Sequence, residues 1–249
     1  MHAMPLSFPT YPATHVVEQN DDAERVVHRA PSYDRPLEGE VQHFSQDGQL
    51  VARTCYRNGQ RHGEMQHFDA DGQCLRRADY RGDQQHGVTM LYQAGQPVAR
   101  QVFVQGVQHG ETRCFGPGGV VTAILPYWQG KLDGEARFFN EGRPARIAVY
   151  RDGMLDGPCR DFDADGNVTQ DTVYRAGMLH GTVRRYWPDG GLRERTVYRD
   201  GQRVEDWQRF DQAGKALPAA QAPASPAVPA SASSQPAATR DTKKWMSRS

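Results

Sequence analysis

Between residues 39 and 217 the chain runs in short segments where aromatic or aliphatic side chains alternate with polar ones, and glycines close each segment. In GEVQHF, residues Glu40, Gln42 and Phe44 share one face of an extended strand. In the next run Leu50, Ala52, Thr54 and Tyr56 share a face by the same period of two. These runs of seven to nine residues are too short for ordinary helices, and Thr, Val, Tyr and Phe recur in them. The bounding QDG, ADG, RNG and RDG segments supply residues that tolerate a positive φ. Asn-Gly and Asp-Gly between alternating runs are hairpin signals. The pattern predicts an all-β chain with about two strands per segment pair.

The pairs repeat. Units begin at Gly39, Gly63, Gly87, Gly110, Gly134, Gly157, Gly181 and Glu205, at spacings of 24, 24, 23, 24, 23, 24 and 24 residues. Phe44, Phe68, Tyr92, Phe115, Phe139, Phe162, Tyr186 and Phe210 stand five residues after each start. A second column holds Tyr56, Tyr80, Phe103, Tyr127, Tyr150, Tyr174 and Tyr198. A repeat of this size cannot bury its own aromatic face, so neighbours bury it for one another, and both columns are assigned to the structural core. Gly48, Gly72, Gly95, Gly119, Gly142, Gly166, Gly190 and Gly214 mark one turn; Gly59, Gly106, Gly130, Gly153, Gly177 and Gly201 mark the other. Gly82 falls one place early, which predicts an irregular second turn there. The fold class expected is an elongated antiparallel β-meander of about eight tandem 23–24-residue β-hairpin repeats. At about 4.8 Å between strands it would extend roughly 75 Å.

Outside the array the pattern lapses. Residues 1–20 read as irregular, 21–38 as a degenerate repeat or cap, 39–217 as the array, and the Ala/Pro/Ser-rich 218–249 as a disordered tail ending in KKWMSRS.

Composition narrows the function classes. Only 37 % of residues are hydrophobic and the mean hydropathy is −0.77, in keeping with a thin core. Thirty basic residues balance thirty acidic ones, so there is no net field to draw the chain onto nucleic acid or an anionic membrane. Cys55, Cys74, Cys114 and Cys159 form no CxxC pair and read as free thiols of a reducing cytosol. The N-terminal run lacks a basic region followed by an apolar core, and no stretch approaches the roughly 20 apolar residues of a membrane helix. The expected location is cytoplasmic.

Units such as YRNGQRHGEMQHFDADGQ and YRDGMLDGPCRDFDADGN resemble the MORN repeat, in the bacterial variant found in YwqK-like antitoxin-like proteins. The resemblance covers about 70 % of the chain, residues 39–214. It implies a β-hairpin array used for protein binding, and an antitoxin or immunity partner of a toxin. It carries over no catalytic residue. Gly82, Glu205 in place of an opening glycine, and the long tail depart from the pattern.

Four candidate features stand out. Asp161, Asp163, Asp165, Gly166 and Asn167 read DxDxDGN, the start of an EF-hand loop, but Thr172 holds the place of its bidentate Glu, so the segment is assigned to a turn. His62, His86, His109 and His180, with Asp133 and Asp156 in other units, precede the opening glycines. Successive copies would lie about 10 Å apart, too far to share one metal, and they are assigned to polar turn positions. Arg113, Arg137, Arg160 and Arg184 form a column whose other members are Gln42, Gln66, Met90 and Gln208; an acidic partner, a phosphoinositide-like headgroup or RNA would suit it. Trp128, Trp187 and Trp207 are candidate exposed anchors, since interface hot spots favour Trp, Tyr and Arg. No nucleophile–base order, phosphate loop or HExxH is present, and a periodic array distributes chemistry evenly where an enzyme needs one singular constellation. The expectation is a non-enzymatic protein-binding module with no cofactor, no metal and no small-molecule substrate. A toxin is the expected partner. A membrane-surface scaffold and an exported effector are the alternatives.

Overall fold

The computed structural model describes residues 17–20, 26–30, 36–45 and 47–218. They form antiparallel β-strands divided between two compact blocks, one taking in residues up to Gly119 with Tyr127–Gly130, the other Val120–Pro126 with the residues from Lys131. The N-terminal strands are β1 (Val17–Asn20), β2 (Val26–Ala30), β3 (Gly39–Phe44), β4 (Leu50–Arg57), β5 (Gln60–Phe68), β6 (Cys74–Arg81), β7 (Gln84–Gln93), β8 (Gln96–Val104), β9 (Val107–Gln108) and β10 (Gly110–Phe115). Then come β11 (Val121–Trp128), β12 (Lys131–Leu132), β13 (Gly134–Asn140), β14 (Arg143–Arg151), β15 (Met154–Phe162), β16 (Val168–Arg175), β17 (Met178–Leu179), β18 (Gly181–Tyr186), β19 (Leu192–Arg199), β20 (Gln202–Arg203) and β21 (Gln208–Arg209). Inside each block consecutive strands pair antiparallel, the meander that the alternation predicts. Among the described residues the helical structure is one 3₁₀ turn, Pro117–Gly119. No helix there is long and apolar enough to cross a membrane. Residues 17–20, expected as irregular, form β1 paired with β2, and β2 in turn pairs with β3. Tail residues beyond Pro218 lie outside the described residues.

Two turn geometries alternate, and they explain the two repeat lengths. After the second strand of each hairpin comes a two-residue turn with both φ values positive, 51° and 81° at Asn58–Gly59, 51° and 85° at Asp152–Gly153. This is the type I′ turn, whose twist matches that of its strands. Gly82–Asp83 has the same geometry, at 57° and 63°. The expected irregularity is therefore absent: Asp is among the residues that tolerate the left-handed region, so the glycine and its partner simply exchange places. The other turn has a three-residue loop. Asp69 N–H donates to the Gln73 carbonyl at 2.9 Å, Gly72 N–H donates back to Asp69 at 3.0 Å, and Gly72 takes φ 74°. In the units opening at Gly87 and Gly134 a two-residue turn replaces it, Ala94–Gly95 and Glu141–Gly142, again with both φ positive. One residue fewer in that loop is the origin of the 23-residue spacing.

The opening glycines are not in turns. They lie within strands or open them, directly opposite the second aromatic column: Gly39 faces Tyr56, Gly63 Tyr80, Gly87 Phe103, Gly134 Tyr150, Gly157 Tyr174 and Gly181 Tyr198. All take positive φ, and on the preceding strand the register slips at Thr54/Tyr56, Ala78/Tyr80 and Ala148/Tyr150. The glycine thus marks a β-bulge, where the backbone comes close to its neighbour. Where Glu205 replaces it the strand gives way to a bend and resumes only as the two-residue β21.

The buried centre differs from the one expected. All fifteen column rings are half-buried. Most of the positions removed from solvent are small residues, chiefly those two after the opening glycine or two before the second aromatic: Val41, Thr54, Ala78, Thr89, Ala136, Ala148, Cys159, Thr172, Val183 and Thr196; Leu125, Gln101, Arg185 and Glu194 are larger side chains buried with them. They oppose one another across the ladder, Val41 with Thr54, Ala136 with Ala148, Cys159 with Thr172. Repeats that meet only their sequence neighbours enclose no volume deep enough for a whole ring, so small side chains fill the middle and the rings border them.

Candidate binding face

Strand register places the arginine column on one face. In the second block an unbroken cross-strand row runs Ile124, Arg137, Ile147, Arg160, Asp171, Arg184, Arg195 and Gln208, each directly opposite the next. In the first block Arg113 faces Arg100 in the equivalent row. Arg137, Arg160 and Arg184 are 54 %, 57 % and 43 % exposed. None of the four predicted arginines is bare. Arg113 Nε donates to Glu111 at 2.6 Å and Arg137 Nε to Glu135 at 2.8 Å, while Arg160 and Arg184 share Asp171 at 3.5 and 3.7 Å. Arg195, which sequence reasoning missed, donates to the Gln208 side-chain carbonyl at 2.7 Å. Exposed pairs of this kind contribute little to stability, on the order of 0–1 kcal/mol each. They set a carboxylate or an amide beside each guanidinium of the face.

Of the three tryptophans singled out by the sequence, Trp128 is the exposed one. It is 57 % exposed, stacked against His109 with ring centroids 4.3 Å apart, in the first block beside exposed Val104 and Val107. Trp187 lies at a hairpin turn under the Arg193 guanidinium, 5.4 Å away, and Trp207 under that of Arg185, 4.8 Å away. Both are half-buried, so the expectation of exposure is corrected for these two: cation–π stacking occupies their faces.

The His/Asp column has a structural task. In five units the side chain before the opening glycine meets the backbone N–H of the first residue of the next type I′ turn: Glu38 that of Asn58 at 2.8 Å, Asp133 that of Asp152 at 3.0 Å, Asp156 that of Ala176 at 3.2 Å, with His86 and His180 at 3.4 and 3.5 Å, and His180 Nδ1 also 3.2 Å from the Asp200 carboxylate; His109 instead stacks on Trp128. The second turn residue donates to the preceding repeat's backbone, as Gly153 does to Leu132 and Gly177 to Leu155, both at 2.8 Å. A carboxylate and an imidazole nitrogen are both acceptors, which is why Asp and His interchange here. The DxDxDGN segment is likewise a turn. The Asp163 carboxylate accepts the N–H groups of Asp165 and Asn167 at 3.0 and 2.9 Å, bonds that hold it below the usual carboxylate range. Among the described residues no group of three or more His, Cys, Asp or Glu is placed to hold a metal.

A polar network that the sequence did not reveal crosses the opposite face. Arg185 pairs with Glu194 at 3.1 Å and Glu194 with Arg209 at 3.5 Å; the Arg185 and Glu194 side chains are 8 % and 9 % exposed. Gln170 joins it by accepting from Arg185 Nε at 3.1 Å. The four cysteines are free, and burial pushes the Cys159 thiol up to about 11, helped by the Asp161 charge.

Comparison with known proteins bears on the repeat alone. The family model described as MORN repeat variant matches residues 37–58 and 179–200. No curated protein matches the chain in sequence. Among solved structures, the S. aureus TarM variant crystallised with fondaparinux, α-GlcNAc-glycerol and UDP aligns at 16 % identity over 39 % of this chain and 20 % of its own, with a TM-score of 0.28. A second TarM structure aligns at 17 % identity over 39 % and 19 %, again at 0.28. The chain spans about a fifth of these neighbours, and a likeness of that order carries no argument about fold or chemistry. The similarity falls on the repeat: the hairpin containing β3 and β4 and the one containing β18 and β19 match the MORN repeat variant model.

Proposed function

We propose that the chain is a non-enzymatic protein-binding module of the antitoxin or immunity type, acting in the cytoplasm by covering a surface of a partner toxin. The observation that carries the protein-binding part is the row from Arg137 to Arg195, in which four exposed guanidinium groups stand in register on adjacent strands, Arg184 directly opposite Arg195, each beside a carboxylate or an amide. Preformed groups on a β-scaffold lose little freedom when they meet a partner, so modest contacts along the row sum. Arginine is over-represented at such interfaces. The toxin part rests on the resemblance of the repeats to the YwqK-like antitoxin variant.

A second reading, a MORN-type scaffold at the membrane surface, draws on Val104, Val107 and Trp128, an exposed apolar group at the turns of the first block. Two measurements separate the readings. Tagged full-length chain, incubated with native lysate and analysed by mass spectrometry, is expected to retain one stoichiometric protein whose expression alone arrests growth. Co-sedimentation with anionic vesicles is expected to show no binding; sedimentation with vesicles and no retained protein would replace the first reading by the second.

A further inference from the structure

The two blocks carry the same kind of outer row but different charge balances. Across β3 to β10 of the first, at the strand positions of this row and the one beside it, Arg53, Arg77, Arg100 and Arg113 stand against four acids. Arg53 pairs with Glu40 at 4.0 Å, Arg77 with Glu64 at 3.2 Å and Arg113 with Glu111 at 2.6 Å, and Asp79 is the fourth acid. In the second block Arg137, Arg160, Arg184 and Arg195 stand against only Glu135 and Asp171. The shortfall is local. Asp171 is divided between Arg160 and Arg184, and Arg195, directly opposite Arg184, has only the neutral Gln208. The row beside them carries no charge here, with Pro158 opposite Val173 and Thr182 opposite Val197, whereas the first block has Glu40 and a Glu64–Asp79 pair beside Arg53 and Arg77 and an apolar Val88–Val102 pair only beside Arg100.

We infer that the Arg160–Asp171–Arg184–Arg195 patch, with the Val173 and Val197 row beside it, is the docking site for an acidic, amphipathic segment of a protein partner. The inference rests on the protein-binding reading above and gives it a place and a chemistry. Two positive charges in excess call for about two carboxylates. Arg184 and Arg195 lie on adjacent strands, about 5 Å apart along the ladder, and present planar forks suited to carboxylate oxygens. The aliphatic row one residue away along the strands calls for apolar side chains alternating with those carboxylates. A phosphate backbone or a headgroup layer offers the charge but nothing for Val173 and Val197. The chain's zero net charge supplies no long-range field to gather either. The partner segment is therefore a strand or helix of a protein with acidic and aliphatic residues on one face.

The test uses full-length chain and a fluorescein-labelled peptide of alternating glutamate and valine, read by anisotropy at low salt. A lysine–valine peptide, a single-stranded oligonucleotide and phosphatidylserine vesicles serve as competing probes. Binding of the acidic peptide, weakened at least tenfold by Arg184→Glu with Arg195→Glu and less than twofold by Arg53→Glu with Arg77→Glu, is expected. The milder Arg184→Gln with Arg195→Gln, checked for native circular dichroism, is expected to give an intermediate loss. Equal binding by wild type and the Arg184/Arg195 variants overturns the proposal, as does no binding of the acidic peptide or tighter binding of the oligonucleotide or the vesicles. Lysate capture tells the two levels apart. A protein held equally by wild type and by Arg184→Glu/Arg195→Glu leaves the protein-binding reading standing and removes this site; no protein held by wild type removes the reading itself.

Discussion

A Cβ placed on Gly157 would stand 3.0 Å from the Cβ of Val149, tighter than nine in ten such contacts, so that the neighbouring strand would have to give way. Gly157 also takes φ 131°, a value that side chains rarely allow. The relation recurs along the chain, Cβ to Cβ, at 3.4 Å between Gly134 and Pro126 and at 3.2 Å between Gly87 and Asp79, and it loosens to 3.9 Å between Gly110 and Val102. The bulge therefore brings adjacent strands together, and glycine is required by space as well as by φ.

Gly157→Ala is expected to cost about 1–3 kcal/mol, the cost of a strained backbone residue with a clash added. Gly110→Ala, with φ 80° and room for the methyl, is expected to cost less. Urea denaturation of the two variants checks the order, and equal midpoints would contradict the close approach.

Glu194 stands between Arg185 and Arg209 on the less exposed face. Glu194→Gln leaves buried guanidinium charge without its counter-charge and is expected to destabilise by about 3–5 kcal/mol. Replacing Arg185, Glu194 and Arg209 together by Met, Leu and Met is expected to recover most of that loss, since an apolar set needs no compensation. Fluorescence of Trp207, which lies against Arg185, gives a local readout during denaturant unfolding. A loss below about 1 kcal/mol for the single change would show the network to be solvated.

Much of this architecture was legible because it is local. The dipeptides Asn58–Gly59 and Asp152–Gly153 announce type I′ turns by residue type alone, and the 23-residue spacings already hint at the shorter loops at Ala94–Gly95 and Glu141–Gly142. What was missed depends on partners far along the chain. The opening glycines looked like punctuation; only the register, with Gly157 opposite Tyr174 and near Val149, makes them bulges. The column rings drew attention away from Val41, Thr54 and Ala136, whose small size is what lets them be enclosed. The arginine column was visible, but not its carboxylates: Asp171 belongs to the next strand and serves two arginines at once. Arg195 escaped notice because it lies on the other strand of the hairpin, outside the period being counted.

His67 is held below the usual histidine range, first by burial and then by the charges of Arg76 and His43. Its protonated form is disfavoured in the fold, so the unfolded chain binds more protons just below the ordinary value of about 6.5. Stability from this site is complete above that pH and is lost as the pH falls from there towards the depressed folded value. Melting temperatures recorded from pH 7.5 to 5.5 are expected to decline, and His67→Gln is expected to flatten the decline. An unchanged slope in the variant would assign the effect elsewhere.

Cys159 is buried, and its thiol stays protonated well above neutrality. Because the thiolate is the reactive form, Ellman's reagent at pH 8 is expected to label Cys159 last of the four in the native chain and all four together in urea. Early labelling of Cys159 would mean that the second block opens readily.

The claim that matters most is that the row from Arg137 to Arg195 meets another protein. The direct measurement is parallel capture from native lysate by wild-type chain and by an Arg137→Glu/Arg160→Glu/Arg184→Glu variant of native circular dichroism. Quantitative mass spectrometry is expected to show one stoichiometric protein on the wild type and at least a tenfold loss of it on the variant. Equal recovery on both, or recovery of lipid without protein, would contradict the account.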